Sequence, residues 1–330
     1  MGSNTNYIQT VNGKINSKDL GYCQSHEHLF IRYGQSAKLV PSLWLDNLKK
    51  TCLELEMYKK LGGAAIVDAQ PIGCGRMADY LTRASSQTNI NIIASTGFHK
   101  LIFYPDNHWI FKLNDSDLAD LFISEIELGM FTSCDFFRPA RRLTSKAGVI
   151  KTASDKEGPT EKYVKFFEAA AEASRQTGVP IMSHTEMGKK GLEQVKTFTD
   201  KQVPCESIII CHLDRDLTDL GYILSVAETG VFLEFDTIGR FKYHSDEAEA
   251  EFLLKLVEHG YEDRILIGLD STRERMYSYG GLIGLDHILN SFIPLLKSYG
   301  LTDELINKFT VSNPAKAFTI KNKTVEGESK

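Results

Sequence analysis

Long apolar runs are missing from this 330-residue chain. None approaches the ~18–20 residues needed to cross a bilayer, so no membrane partner is expected. The opening stretch MGSNTNYIQTVNGKINSKDLG has no apolar leader core, and Asn6 stands where an N-myristoylation signal needs Ser or Thr. Cysteine is sparse and unpatterned: Cys23, Cys52, Cys74, Cys134, Cys205 and Cys211 form neither a CxxC pair nor a compact framework. That pattern reads as reduced thiols in a cytoplasm, which is the expected location. A basic block is also absent. With 38 Lys and Arg against 43 Asp and Glu, the formal charge is −5, and no electrostatic footprint for nucleic acid is apparent. The chain has no low-complexity segment, and 42% hydrophobic with 25% charged residues excludes disordered and fibrous classes. A soluble protein with a small-molecule partner is expected.

What is present is a rhythm. Eight short β-rich apolar runs recur: GYCQSHEH, GAAIVDAQP, INIIASTGF, AGVIKTAS, GVPIMSHTE, SIIICHLD, GVFLEFDT and RILIGLDST. Between most of them lie amphipathic stretches such as PSLWLDNLKKTCLELEMYKKLG, with apolar residues at helical spacing and Gly at the stop. Strands alternating with helices imply parallel pairing. A doubly wound open sheet gives a similar string, but eightfold alternation in a chain of this length favours a (β/α)8 TIM barrel formed by residues 1–330 as one domain. An irregular insertion is expected at about 100–145. The end, LTDELINKFTVSNPAKAFTI, reads as a helix, a turn at Pro314 and a short closing helix, followed by a frayed tail.

Five of the eight runs end in a residue able to bind a metal or move a proton. They are His26 and His28 after the first, Lys151 in the fourth, His184 after the fifth, His212 after the sixth and Asp270 after the eighth. A lone buried histidine is more often a hydrogen-bonded core group, and Asp after a strand is often an N-cap. In a barrel, however, these ends converge on the face that carries active sites, and the bland reading needs five independent coincidences. His26, His28 and Asp270 make one candidate metal site and His184 with His212 a second, suited to zinc or a related first-row metal. Lys151 is the odd member. As an ammonium it repels cations or pairs with a carboxylate; as a carbamate it offers two oxygens that bridge two metals.

The loops after the seventh and eighth runs, DTIGRFKYHSD and DSTRERMYSYGG, offer Arg240, Lys242, His244, Arg273, Arg275, Tyr277 and Tyr279. Barrels commonly bind phosphate there, and such donors suit an anion. The competing reading is a solvated charged loop, with Arg paired to Glu274 or Asp236. The last loop is short and lacks a large apolar cap, which argues for a small, charged substrate.

The ordered set HEH, GVIK, SHTE, CHLD and GLD, with VDAQPIGCGR, IIASTGF and VSNPAKAF, resembles the phosphotriesterase-like branch of the amidohydrolase superfamily over essentially the whole chain. The resemblance implies a binuclear site of two divalent ions, zinc first and manganese or cobalt as alternatives. Their ligands would be His26, His28, N6-carboxylated Lys151, His184, His212 and Asp270, bridged by a hydroxide, with Asp270 also the catalytic base. Within that branch, HLDR and the basic last loops resemble a group that opens phosphorylated five-carbon sugar lactones (aldono-1,4-lactones). That likeness points to Lys242, Arg273 and Tyr277 for the phosphate, Arg240 and Arg275 in reserve, and His99 near the lactone ring. It also implies a homodimer. Two other readings are a phosphotriesterase or acyl-lactone hydrolase using the same site, and a metal-binding barrel without catalysis. Arg215, directly after Asp214, departs from the acidic relay of many relatives.

Overall fold

The computed structural model describes residues 6–321; residues 1–5 and the tail from 322, expected to be frayed, lie outside the described residues. The chain opens with β1 (Tyr7–Thr10) and β2 (Gly13–Asn16), an antiparallel hairpin turning at Val11–Asn12. This element is absent from the sequence expectations, although a Gly beside Asn at the turn is a hairpin cue. All eight expected runs are strands: β3 (Cys23–Glu27), β4 (Ala65–Asp68), β5 (Asn91–Gly97), β6 (Val149–Ala153), β7 (Ile181–His184), β8 (Ile208–Cys211), β9 (Phe232–Phe235) and β10 (Ile265–Ile267). They pair in sequence order, all parallel. Across the seam, Ser25 Oγ donates to Ile267 O at 2.9 Å and Asp270 N to His26 O at 3.0 Å. The result is a nearly closed (β/α)8 barrel.

Side chains two residues apart on a strand share a face. Cys23, Val67, Ile93, Val149, Met182, Ile209, Phe232 and Leu266 fill the barrel interior, whereas Ile66, Ile92, Ile150, Ile181, Ile210 and Leu233 pack outward against the helices. The same parity carries Lys151, His184 and Glu234 inward, above Val149, Met182 and Phe232 respectively, with Asp236 two residues beyond Glu234. Ile8 of the hairpin, Leu20 and Phe318 join the inner cluster and close the N-terminal end. Chemistry is thereby left to the C-terminal end.

Two expectations are corrected. The insertion is partly regular: Asp115–Glu127 is a helix whose first turn is capped by Asn114, and its buried Glu125 holds Arg76, Thr96 and the Phe131 amide. Pro314 marks no turn. Helices Asp303–Asn307 and Asn313–Ala317 run on through a π segment, Lys308–Ser312, whose wider turn relieves the clash between the proline ring and the preceding carbonyls. Among the described residues no helix is long and apolar enough to cross a membrane.

Gly97 pairs with Lys151 and has φ +92°, and a Cβ there would collide with the Lys151 carbonyl oxygen. Gly97→Ala is therefore expected to lower stability by more than about 2 kcal/mol, because left-handed strain and the clash add. Denaturant titration measures it, and an unchanged midpoint would show that β5 and β6 can part at no cost.

Candidate active site

The site is assembled at the C-terminal ends of the strands. His26 is buried at the end of β3, its Nδ1 2.8 Å from Glu234 Oε2 and 3.0 Å from Asp236 Oδ2. Asp236 also meets His212 Nδ1 at 2.5 Å, so one carboxylate orients two imidazoles. His212 Nε2 lies 2.7 Å from His184 Nδ1, and His28 Nε2 lies 3.3 Å from Asp270 Oδ1. Each of these four histidines and Asp270 is at most 6% exposed. Burial first of all holds His28, His99, His184 and His212 below the ordinary imidazole range. That keeps them neutral, the form that ligates a metal.

Lys151 is fully buried, with Nζ 3.2 Å from His26 Nε2 and 3.9 Å from Cys211 Sγ. Among the described residues no carboxylate forms an ion pair with it.

Asp270 sits in the left-handed region at φ +48°, as His212 does at +63°. Asp tolerates this conformation better than most residues, and such strain collects at functional sites. Glu27 secures the local backbone by accepting from Leu269 N at 2.9 Å and Ser271 N at 3.1 Å, on either side of Asp270. Asp270 Oδ2 accepts from Arg215 Nη2 at 2.8 Å and Arg240 Nη1 at 2.6 Å. Burial alone would raise the Asp270 pKa; Arg240 foremost, then His28 and Arg215, hold it well below the carboxylate range.

The donor set suits a first-row divalent cation. His26, His28 and Asp270 each offer one ligand atom, all within 4.8 Å of one another. The nitrogens of His28 and His184 that face the other candidate ligands are Nε2, 3.3 Å from Asp270 Oδ1, and Nδ1, 2.7 Å from His212 Nε2.

These groups open into a cavity of about 190 Å³. Arg240, Lys242 and His99 line it, as the loop reading expected, together with Arg215, Tyr243, Lys100 and Glu186, which that reading did not assign. Arg273, Arg275 and Tyr277 do not line it. The last loop leaves the strand so that Thr272 and Glu274 face the cavity, while the Arg273 guanidinium sits 5.1 Å from the Trp44 ring. Arg275 is buried, its Nη1 and Nη2 donating to the carbonyls of Leu269 and Ile238, so it staples two loops and pairs with neither Glu274 nor Asp236. Tyr277 is 46% exposed and stands outside the cavity. Glu234 and Asp236 were also missed; charged residues at alternate positions of the apolar run VFLEFD were the available signal, since they share the inward face.

The chain is similar over nearly its whole length to known proteins. The model of the Phosphotriesterase family matches residues 6–318. A phospho-furanose lactonase of Mycoplasmopsis synoviae is 30% identical over 328 residues, covering 96% of this chain and 93% of that protein. The crystal structure of an amidohydrolase from Mycoplasma synoviae superposes with a TM-score of 0.91 at 29% identity, covering 97% of this chain and 94% of that one. A lactonase from Listeria monocytogenes superposes with a TM-score of 0.87 at 30% identity, covering 96% and 100% of the two chains.

Proposed function

The chain belongs to the phosphotriesterase family and is a hydrolase acting on ester bonds, and we propose that it opens a phosphorylated aldono-1,4-lactone. The observation that carries this reading is the meeting, at one barrel end, of four buried histidines, Asp270 and an unpaired Lys151 with a small cavity bearing Arg240 and Lys242. In this proposal His26, His28, Lys151 as its carbamate, His184, His212 and Asp270 hold two divalent ions, zinc first and manganese or cobalt as alternatives. When bound, the ions supply Lewis acidity and lower the pKa of the attacking water.

The chain's own groups do the rest. Asp270 takes the proton of the attacking water and delivers it to the ring oxygen that leaves. Glu234 and Asp236 fix the orientation of His26 and His212. His99, whose ring centroid lies 6.4 Å from that of His28 and 5.4 Å from that of His184, flanks the lactone ring. Lys242 and Arg240 bind the phosphate, in place of Arg273, Arg275 and Tyr277. The cavity volume lies below the usual ~300–1,000 Å³ of drug-sized pockets, which suits a compact substrate and disfavours a long acyl chain. Phosphotriesters are the competing substrates for the same groups, but they lack the full anionic charge that Lys242 and Arg240 would meet. A cytoplasmic homodimer belongs to the same proposal.

Lys242→Ala tests it. One charge-assisted contact is worth roughly 1.5–3 kcal/mol, or about a 10–150-fold loss in kcat/KM. That loss is expected on a phosphorylated aldonolactone and not on its unphosphorylated analogue. Equal rates for both lactones in the unaltered enzyme, or equal damage to both in the variant, would remove the phosphate from the reading. Absence of any lactone hydrolysis in metal-loaded protein would favour the non-catalytic barrel.

A further inference from the structure

Outside the lining of the catalytic cavity lies a second group of metal-capable side chains that the reaction does not use. Asp214, in the segment after β8, His244, in the loop after β9, and Glu249, in the first turn of helix Asp246–Glu258, each present one ligand atom within 4.8 Å of the others. Neither carboxylate is exposed at all. Both oxygens of Glu249 and Oδ1 of Asp214 lack a hydrogen-bond partner, while Asp214 Oδ2 accepts from Thr237 N.

The histidine tautomer sharpens the problem. His244 Nδ1 lies 3.1 Å from Ser245 O, a carbonyl that can only accept, so Nδ1 carries the proton. With Nε2 unprotonated, its lone pair stands 3.1 Å from Glu249 Oε2, a spacing that needs a proton or a cation between the two atoms. Its other neighbour, Thr237 Oγ1, is 3.3 Å away. Burial, followed by the charges of Asp214, Asp246 and Asp236, pushes the Glu249 carboxyl well up. Something positive belongs among these atoms. A tetrahedral ion with bonds of about 2.0–2.2 Å places its ligands roughly 3.3–3.6 Å apart, a few tenths of an ångström beyond the 3.1 Å His244–Glu249 separation.

We propose that Asp214, His244 and Glu249 form a third divalent-cation site, for zinc or a similar first-row ion, separate from the catalytic pair. One such ion neutralises both carboxylates. It also ties the loop that carries Arg240 and Lys242 to the segment that follows the ligand His212, so its role is to hold the substrate loop in place.

The test is metal stoichiometry. Protein loaded with Zn²⁺ and dialysed against metal-free buffer is assayed for zinc per chain by plasma mass spectrometry. The unaltered chain is expected to retain about three equivalents, and the isosteric Glu249→Gln variant about one fewer. His244→Ala, which alters a loop residue and leaves the helix intact, is expected to lose the same equivalent and covers the case that Glu249→Gln fails to fold. Lys151→Ala separates this proposal from the catalytic one, since it should lose the catalytic ions and keep the third. Zinc content unchanged by both Glu249→Gln and His244→Ala would overturn the site and leave the cluster sharing protons. Unchanged zinc in Lys151→Ala would count against the binuclear reading alone.

Discussion

Lys151→Ala is expected to empty the catalytic site of metal and lower kcat/KM by at least about 10³-fold, since the ions contribute several kcal/mol to charge stabilisation in the transition state. The side chain is fully buried with its Nζ 3.2 Å from His26 Nε2, and among the described residues no carboxylate pairs with it. An unmodified ammonium in that position is costly, because a buried charge needs a partner. It would also repel the cations for which four histidines and Asp270 are gathered. Addition of carbon dioxide turns one positive charge into a negative one and creates two donor oxygens, which resolves both conflicts. Alanine removes those oxygens and leaves a gap the size of the lost side chain. A short carboxylic acid such as propionate fits that gap chemically and is expected to restore part of the metal content and turnover. Metal analysis and kinetics with and without propionate check this. Full metal content and turnover in Lys151→Ala, or an unmodified Lys151 amine in metal-loaded protein, would remove the carbamate from the site.

The strands and the metal-binding candidates were legible in the sequence for the same reason. A parallel barrel strand is buried on both faces, so GVIKTAS, VPIMSHT and SIIICHL stand out as apolar runs, and a polar side chain at their C-terminal ends has one place to go. Parity adds the inward direction: Lys151 lies two residues after Val149, and His184 two after Met182. Loops have no such period. Arg273 and Arg275 look equivalent to Lys242 in sequence, yet the path after Asp270 sends Arg273 toward Trp44 and spends Arg275 on two carbonyls. Their roles follow from backbone geometry that composition does not encode. In the sequence Arg215 shows only as a break in an acidic relay; its reach to Asp270 depends on the left-handed turn at His212, which a lone histidine does not announce. The hairpin Tyr7–Asn16 stands outside the eightfold rhythm, and its only local cue is Gly13 beside Asn12 at the turn.

Asp270→Asn is expected to cut kcat by about 10²–10⁴-fold, the usual effect of removing a general base, while the protein keeps most of its metal. The substitution suits this position. Asparagine tolerates the left-handed φ of +48° as aspartate does, so the turn held by Glu27 through the amides of Leu269 and Ser271 is retained. The side-chain carbonyl still presents an oxygen toward His28, the direction in which Oδ1 now lies at 3.3 Å. What the amide cannot do is accept the proton of the attacking water and return it to the leaving oxygen. Arg215 and Arg240 lose their shared anion at Oδ2, and because Arg240 lines the cavity its charge remains available to solvent ions and to the substrate phosphate. The defect should therefore fall on kcat more than on KM, which separates loss of a base from loss of substrate binding. Kinetics and metal content measured on the same preparation decide the matter. Low turnover with the metal gone would make Asp270 a ligand and no more, and near-normal turnover with the metal retained would move the base to another residue.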